Sequence, residues 1–545
     1  MLTYSSNVKP IRKDRPWLLF LTAIIWIGGA TFFHAPWEPF EPYVVAIVKS
    51  VLATNSWLIP YLSVKAPYLE LQPFYFWLFA LIIKIFGFSD ITNAVRLINA
   101  VLIWIFIALM GRIGSNLQAF KNGRSVVMIL ISSVGFINNA YQLSPNLVVL
   151  LGFALYIYAL QQSSQRPGIS AWMLSIGLVL ISIHFTGEFI LIALLLLAIL
   201  PIISRRWRNR EFAICVITAL VLFTTIFSSY IWQLNNVDHT FFLEWKDRYL
   251  SFIDFKSHNY WGNLVFYLHT LVWYLVPSWF LCGWTIYKRR KNLFKDSVLQ
   301  ISVILVLLLF MCAIFSNQQD ESTIFPILIP FILIASVEID SIKISIVSLL
   351  NWFCLFTFGL AGLAIGVLYV ALNIGHPDEL FNLAKSYAPN YTYQFNFWQL
   401  ALAILMCLIW IFLITRKHIR GREMVTNWAS GTTFVLVMFI SLCLPWFNAV
   451  LSFQGIVGES MPFIKNNAGC VATNQANRIQ NAVWYYYADV TLVPEVNFAQ
   501  GKCNQALIAV DDKQNISIPN WKIVWSGKRP VDFRRYVLLE RESSN

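Results

Sequence analysis

Charged residues are scarce in this chain. They make up 12% of its 545 residues, whereas soluble proteins average about 25%. Hydrophobic residues make up 58% and aromatic residues 16%. This composition excludes an ordinary soluble domain and indicates a membrane protein with several spans. The net charge of +13 does not indicate a nucleic-acid partner, because the basic residues form short clusters between apolar runs and not one basic face.

Several motifs of well-known chemistry are also missing. The sequence has no glycine-rich phosphate loop, no CxxC pair and no His/Cys spacing typical of a metal site. Six of the eight cysteines lie in apolar stretches, where a thiol is usually a small hydrophobic side chain. Cys470 and Cys503 lie in a polar region and could either pair in an oxidising compartment or remain free thiols.

The positions of lysine and arginine predict the topology. If every basic cluster faces the cytoplasm, an even number of spans must separate successive clusters. About thirteen spans satisfy this condition, with the N-terminus inside and the C-terminal tail outside. The clusters lie at residues 9–15, 112–124, 205–210, 288–295 and 416–422. The predicted spans are residues 17–33, 91–112, 125–142, 145–161, 170–185, 187–204, 211–233, 262–287, 296–316, 322–340, 344–374, 395–416 and 425–448.

One apolar segment, residues 73–87, is left out of these spans. It is short for a span. A span there would also place every later basic cluster on the outer side of the membrane. We expect it to form a helix along the membrane surface, with a second such helix at residues 43–53. Residues 34–90 then form a long external loop. The alternative is that residues 73–87 are an ordinary span and another assignment is wrong.

The tail, residues 449–545, is less apolar and rich in turn residues. It predicts a small α/β or mostly β domain outside the membrane, following an all-α membrane domain of residues 1–448. Three of its segments are typical of short strands: VWYYYADVTLVPEV, ALIAVDD and YVLLE.

Several stretches resemble the bacterial C-type membrane glycosyltransferases. They are HAPWEPFEPY, NSWLIPYLSVKAPYLELQPFYFW, NAVRL, YWGNLVFYLHTLVWYLVPSW and STIFPILIPFILIAS. The similarity is to aminoarabinose–lipid A transferases and protein O-mannosyltransferases. It implies thirteen helices, a long first periplasmic loop, a bacterial inner membrane and a Cys470–Cys503 disulfide. It also implies transfer of a sugar, a hexose or a pentose, from undecaprenyl phosphate to lipid A, another glycan or a protein.

The sequence departs from the family pattern at three positions. The family's Asp-Glu pair in the first loop reads Phe40-Glu41, its later lysine is Leu71, and its KG motif reads Thr186-Gly187. These changes keep a second interpretation open, namely a relative without turnover that binds a lipid-linked sugar or a partner transferase. A transporter would predict inverted repeats, and no convincing repeat is present.

Glycosyl transfer needs a carboxylate that accepts the proton of an attacking hydroxyl. Glu41, supported by Glu38, is the candidate catalytic residue. Alternatively, both glutamates are structural. Glu38 then caps the preceding segment, and Glu41 lies at the N-terminal end of helix 43–53, where a carboxylate interacts favourably with the helix dipole. The two carboxylates could also bind a divalent metal, although they do not by themselves specify one.

Transfer also needs cations that neutralise the departing phosphate. Arg96 could contact that phosphate, pair with Glu41 or Glu70, or reach the membrane interface as a structural residue. In the outer loop, Lys246 and Arg248 could bind phosphate or be solvated charges. The remaining candidates for substrate binding are Glu70, Tyr75 and His269, the last in an aromatic patch with Trp273 and Tyr274.

A buried His/Glu pair is a further candidate. His184 and Glu188 are four residues apart and would share one face of a continuous helix. Gly187 suggests a break between them. A hydrogen-bonded structural histidine is the alternative.

Overall fold

A computed structural model gives the fold of the chain, which is mostly helical with a small β-sheet near the C-terminus. It describes residues 23–28, 34–63, 66–70, 72–117, 122–253, 259–316, 319–389, 391–393, 395–415, 422–464, 470–474, 478–495, 501, 503–512 and 518–542.

Two helices lie in the long loop after the first predicted span. Helix α1 (Glu41–Thr54) has a proline in its first turn and ends at Asn55, which adopts the left-handed conformation. Helix α2 (Pro73–Phe86) begins with a proline and ends at Gly87, where φ is 67°. Both match the predicted helices 43–53 and 73–87 to within two residues. A short hairpin of β1 (Tyr61–Ser63) and β2 (Ala66–Pro67) connects them.

The other helices follow in chain order: α3 (Ile91–Ser115), α4 (Gly123–Ser132), α5 (Val134–Tyr141), α6 (Pro145–Gln162), α7 (Pro167–Ile181), α8 (Glu188–Ile203), α9 (Arg210–Val237), α10 (His239–Tyr249), α11 (Tyr260–Tyr274), α12 (Ser278–Arg289), α13 (Ser297–Ile314), α14 (Leu328–Ala335), α15 (Ile344–Ile374), α16 (Asp378–Tyr387), α17 (Phe397–Thr415), α18 (Arg422–Leu451), α19 (Gln454–Ser460) and α20 (Arg478–Ala488).

The architecture is that of a polytopic membrane protein. Within the described residues, seven helices are long and apolar enough to cross a membrane, namely α3, α6, α9, α13, α15, α17 and α18. The number is nine if two bent pairs, α4 with α5 and α11 with α12, each count as one span. Three shorter apolar segments, α7, α8 and Phe325–Ala335, coincide with other predicted spans. Only residues 23–28 of the first predicted span are described, so the total of thirteen stays a prediction.

The two bent pairs meet at their bends. The pair α4–α5 bends by 73° and the pair α11–α12 by 101°. The Val134 N–H donates a hydrogen bond to the Val276 carbonyl oxygen at 3.3 Å. A Cβ atom at Gly135 would lie 2.5 Å from the Tyr274 ring, so this close approach requires glycine. Asn139 Nδ2 also donates to the Tyr274 hydroxyl at 2.7 Å. These contacts fix the direction of α5, which forms one wall of the cavity described below.

The tail contains a mixed five-stranded sheet. Its strands are β3 (Val471–Thr473), β4 (Leu492–Pro494), β5 (Gln505–Asp511), β6 (Trp521–Gly527) and β7 (Arg534–Arg541), in the spatial order β4-β3-β5-β7-β6. Strand β3 pairs in parallel with β4 and β5, whereas β7 pairs antiparallel with β5 and β6. Parallel neighbours need a crossover connection, and α20 provides it between β3 and β4. The tail is therefore an α/β unit.

The predicted strand VWYYYADVTLVPEV is wrong in its first half. VWYYYA belongs to α20, and only Leu492–Pro494 is a strand. Ile479, Ala482 and Val483 are all buried, which is the i, i+3, i+4 spacing of a helix. The segment YVLLE lies within β7, and ALIAVDD lies within β5 except for its last residue, Asp512, which follows the strand.

A disulfide joins two parallel strands of the tail. Cys470 lies just before β3 and Cys503 just before β5, and the bond closes a loop with a sequence separation of 33 residues. In the chain-entropy view, such a crosslink stabilises the folded state by restricting the unfolded chain.

The tail contacts the first loop through α20. Lys49 of α1 donates to the carbonyl oxygens of Tyr485 and Tyr486 at 3.1 and 3.0 Å, and its Nζ lies 2.5 Å from Asp489. Thr92 of α3 is hydrogen-bonded to the hydroxyl of Tyr486. A lysine at a helix C-terminus pairs favourably with the last carbonyl groups. The tail is thereby attached to the loop and to α3 through residues other than the two glutamates.

Candidate functional site

Glu41 and Arg96 form a buried ion pair. Glu41 lies in the first turn of α1, and Arg96 lies in the second turn of α3. Arg96 Nη2 is 3.2 Å from Glu41 Oε2, and the two side chains are only 2% and 5% exposed. The Trp37 N–H donates to the same oxygen at 3.0 Å. Burial raises the pKa of Glu41, and the Arg96 charge opposes this effect.

Arg96 also contacts the backbone of the loop. Its guanidinium donates to the carbonyl oxygens of His34 and Ala35, the latter at 3.1 Å. These hydrogen bonds use both Nη atoms of a side chain that the sequence also suggested for phosphate binding, whereas its buried Nε has no partner within the described residues. The pair Glu41–Arg96 therefore holds residues 34–41 against α3.

His34 completes this buried cluster as a neutral imidazole. Burial, followed by the nearby Arg96 charge, lowers its pKa to about 3. Arg96 Nη2 lies 3.0 Å from His34 Nδ1. The Ala35 carbonyl oxygen lies 2.8 Å from the same nitrogen. Since a guanidinium only donates and a carbonyl oxygen only accepts, His34 Nδ1 is hydrogen-bonded to one of these two groups at a time, according to its tautomer. The ring stacks on Trp37 with a centroid distance of 4.0 Å.

Glu38 points away from this cluster and pairs with the tail. Its Oε2 accepts from Arg529 Nη2 at 2.7 Å, and its side chain remains 44% exposed. Glu41 is thus buried and enclosed by donors, whereas Glu38 is accessible. The two glutamates that the sequence offered as one catalytic group lie in different environments.

A cavity of about 610 Å³ opens beside both glutamates. Its polar lining includes His34, Glu38, Glu41, Asn138 and Gln142. The rest of its wall is mostly apolar and comes from α5, α15 and α18: Ile137, Tyr141, Phe358, Val435, Leu436, Phe439, Ile440, Leu444, Phe447 and Leu451.

The cavity is long and has a polar end. The lining residues of α18 run from Thr432 to Leu451 along one helix face, a length of about 28 Å at about 1.5 Å per residue. Asn448 lies near the end of this face, and its Oδ1 accepts from the backbone N–H of Ala35 at 2.8 Å and from Trp37 Nε1 at 3.2 Å. These bonds place residues 34–41 at the Leu451 end. The arrangement suits an extended apolar chain whose polar head lies at Glu38.

The described cavity lining contains neither lysine nor arginine. Among the described residues, the cations within hydrogen-bond distance of its two glutamates are Arg96, buried behind the loop, and Arg529, at the mouth. Within the described residues, no group of three or more His, Cys, Asp or Glu side chains could hold a metal ion.

The predicted outer-loop residues lie elsewhere. Arg248 pairs with Glu70 at 3.6 Å, with side chains 38% and 39% exposed. Glu70 also accepts from the Tyr68 hydroxyl at 3.0 Å. Lys246 lies 4.0 Å from Asp247 and is exposed. All these residues are absent from the lining of the cavity.

Two other predicted residues are also outside the cavity lining. His269 is exposed on α11, whereas Tyr274 is buried, so the predicted aromatic patch is divided between two faces. Tyr75 is buried in the core, and its hydroxyl has no hydrogen-bond partner within the described part of the chain. The negative charge of Glu41 contributes to a raised Tyr75 pKa, after burial as the main cause.

His184 and Glu188 lie on the two sides of the break between α7 and α8. Both are buried, and His184 Nδ1 is 4.0 Å from Glu188 Oε1. His184 Nδ1 also lies 3.1 Å from the Thr186 hydroxyl, and Cys312 Sγ lies 3.9 Å from Glu188 Oε2. The predicted break at Gly187 is therefore confirmed, and this cluster is separate from the residues that line the cavity.

Sequence considerations missed three residues of this site: Arg529, His34 and Asn448. Arg529 lies 491 positions after Glu38 and belongs to the tail, where its surroundings, SGKRPVD, resemble any polar turn. Asn448 falls at the end of a predicted span. A signal existed only for His34, which begins the stretch HAPWEPFEPY.

Comparisons with known proteins identify the fold. No family model and no curated protein matches the chain. Solved structures do match, among them ArnT from Cupriavidus metallidurans bound to undecaprenyl phosphate and the same protein in the apo state. The bound form has a TM-score of 0.67 and 13% sequence identity, and the match covers 97% of this chain and 99% of that chain. The apo form has a TM-score of 0.61 and 13% identity, with coverage of 96% and 97%.

The predicted resemblance to aminoarabinose–lipid A transferases is thus confirmed at the level of the fold. The match includes the membrane helices, the long first loop and the tail, because it covers nearly all of both chains. This chain has the fold of ArnT.

Proposed function

We propose that the protein is an integral membrane glycosyltransferase. It transfers a sugar from a polyprenyl-phosphate donor to an acceptor at the outer face of a bacterial inner membrane. The observation that carries this proposal is an accessible carboxylate, Glu38, at the polar end of a long apolar cavity. The fold supports it, because the ArnT structure with the same fold contains undecaprenyl phosphate.

The proposed reaction uses the two glutamates differently. An acceptor hydroxyl oxygen attacks the anomeric carbon, the bond from that carbon to the phosphate oxygen breaks, and polyprenyl phosphate leaves with the electron pair. Glu38 accepts the hydroxyl proton as general base. Glu41 is buried and bound by several donors. Its proposed role is to position the loop that carries Glu38. The proposed general base is therefore Glu38 and not Glu41, the residue that the sequence favoured.

The proposed topology follows from the basic clusters. The N-terminus is cytoplasmic, and the tail domain, residues 449–545, lies outside above the first loop. An oxidising periplasm is consistent with the Cys470–Cys503 disulfide. The acceptor would be lipid A, another glycan or a protein that reaches Glu38 from the tail side.

One observation favours a second candidate function. The departing phosphate needs cations, yet the described lining of the cavity contains no lysine or arginine. A relative that binds a lipid-linked sugar or a partner transferase without turnover would not need them. The exposed, arginine-paired Glu38 favours transfer over this alternative, because a binding protein needs no carboxylate there.

Mass spectrometry of envelope lipids and glycans tests the proposal. Four strains are compared: gene deleted, complemented with the intact gene, and complemented with Glu38→Gln or Glu41→Gln. We expect a sugar-sized mass difference that disappears on deletion, returns with the intact gene and does not return with Glu38→Gln. If deletion of an expressed gene changes no glycan, the proposal is wrong and the binding function is favoured.

A further inference from the structure

Arg529 of the tail lies at the mouth of the membrane cavity. Its guanidinium donates to Asp532 through Nε and Nη2, at 2.7 and 2.6 Å, and to the Leu451 carbonyl oxygen through Nη1 at 2.7 Å. It also lies 3.4 Å from the centroid of the Phe453 ring, a cation–π arrangement. Arg529 is only 5% exposed. The side chain is therefore fixed on several sides before its contact with Glu38 is considered.

Glu38 has the opposite character. It is 44% exposed, and Arg529 Nη2 is the one hydrogen-bond donor found for its carboxylate within the described part of the chain. A flexible acidic side chain with a single partner takes its orientation from that partner. Because Arg529 is rigid, it determines where the Glu38 carboxylate lies relative to the cavity.

We infer that Arg529 is a positioning residue of the site: it holds the Glu38 carboxylate towards the cavity mouth, so the tail domain completes the reaction centre. This inference rests on the proposed transferase function. It differs from simple attachment of the tail, because Lys49 and Thr92 already bind α20 at another place. Loss of Arg529 should leave the tail in position and release Glu38.

The chain offers two matched controls. Lys528 precedes Arg529 and pairs with Asp512 at 2.7 Å on the exposed surface, so Lys528→Gln removes a neighbouring tail cation without touching Glu38. Lys49→Met removes the hydrogen bonds and the ion pair between Lys49 and the tail, which belong to another contact between the tail and the loop. Comparison of Arg529→Gln with Lys528→Gln separates the positioning of Glu38 from a change in the net charge of the tail. Comparison with Lys49→Met separates it from weaker docking of the tail on the loop.

The experiment measures transfer by purified protein in vesicles that contain a polyprenyl-phosphate sugar, with kcat and KM determined separately. We expect Arg529→Gln to lower kcat by on the order of a hundredfold with little change in KM for the donor, because misplacement of a reacting group by about 1 Å has that effect. Arg529→Lys should restore part of kcat. Lys528→Gln should equal the intact protein, and Lys49→Met should lose much less than Arg529→Gln.

Three outcomes would overturn the inference. If the intact protein transfers sugar and Arg529→Gln equals Lys528→Gln, Arg529 positions nothing. If Lys49→Met loses as much kcat as Arg529→Gln, docking of the tail explains the effect. If the intact protein transfers no sugar, the proposed function fails and the inference fails with it.

Glu38→Asp extends the test to the case in which Arg529→Gln does not fold. This variant keeps a carboxylate and leaves the tail unchanged. Its side chain is one methylene shorter, so the carboxylate lies farther from Arg529. We expect a loss of kcat similar to that of Arg529→Gln. Activity equal to that of the intact protein would contradict the inference.

Discussion

Two carboxylate–guanidinium pairs link the first loop to later helices, and they differ in burial. Glu41–Arg96 spans 3.2 Å, with side chains 5% and 2% exposed. Glu70–Arg248 spans 3.6 Å, with side chains 39% and 38% exposed. The sequence suggested Glu41 as the catalytic residue and the other three as substrate-binding residues, but only Glu41 is among the residues that line the cavity.

The difference in burial implies a difference in role. A buried pair has lost its water, so each charge depends on the other and on its hydrogen bonds. The charges of an exposed pair are solvated whether or not the pair forms, so the pair contributes little to the free energy of unfolding. Glu41–Arg96 therefore determines the shape of residues 34–41, whereas Glu70–Arg248 is a surface contact.

Removal of one partner of the buried pair should have the largest effect. Arg96→Met leaves Glu41 buried without its cation, and we expect a loss of about 3–5 kcal/mol in the free energy of unfolding. Denaturant unfolding of the purified protein in detergent measures it. A loss below about 1 kcal/mol would mean that the pair is no more important than a surface contact.

Acidification should weaken the same cluster through His34. Its folded-state pKa is about 3, whereas its unfolded value is about 6.5. Between these values the unfolded chain binds the extra proton, so stability is full above the unfolded pKa and falls as the pH drops below it. At pH 5 the loss is about 2 kcal/mol relative to pH 8. His34→Gln should lack this component, and the same pH slope in both proteins would contradict the assignment.

The apolar part of the cavity offers a test that is independent of charge. Leu436→Trp places a larger side chain in the cavity wall, and we expect it to weaken binding of undecaprenyl phosphate about tenfold. Leu408→Trp is the matched control, because Leu408 is 59% exposed on α17. Native mass spectrometry with added lipid measures both. Equal affinities in the two variants would exclude this cavity as the lipid site.

The exposed pair should show the smallest effect. Arg248→Met should change the free energy of unfolding by about 0–1 kcal/mol and leave transfer within about twofold. Unfolding and transfer assays identical to those for Arg96→Met make the comparison direct. A loss of transfer without loss of stability would return Arg248 to the list of donor-binding residues.

Much of the fold could be predicted from local patterns. Prolines at the start and a left-handed residue at the end define α1 and α2, and both were found within two residues of their predicted bounds. The helix α20 was mistaken for a strand, because the run VWYYY has high β propensity. Its helical state depends on the parallel pairing of β3 with β4, which a single segment does not reveal.

The site was less predictable than the fold. The stretch HAPWEPFEPY drew attention to Glu38 and Glu41, but the sequence could not separate the buried glutamate from the accessible one. That distinction comes from contacts with Arg96, Asn448 and Arg529, which lie 55 to 491 positions away in the chain. Arg529 in particular has no local signal, because its role depends on the docking of the tail above the first loop.

The most direct measurement of the central claim is photo-crosslinking with a polyprenyl phosphate that carries a photoreactive group at the far end of its chain. If the sugar-phosphate head lies at the Leu451 end of the cavity and the chain follows α18, labelled peptides should come from the opposite end of the cavity, around Thr432–Leu436, and Leu436→Trp should reduce the labelling. Labelling confined to the exposed face of α17, around Phe397–Leu408, and unchanged by Leu436→Trp would contradict the account.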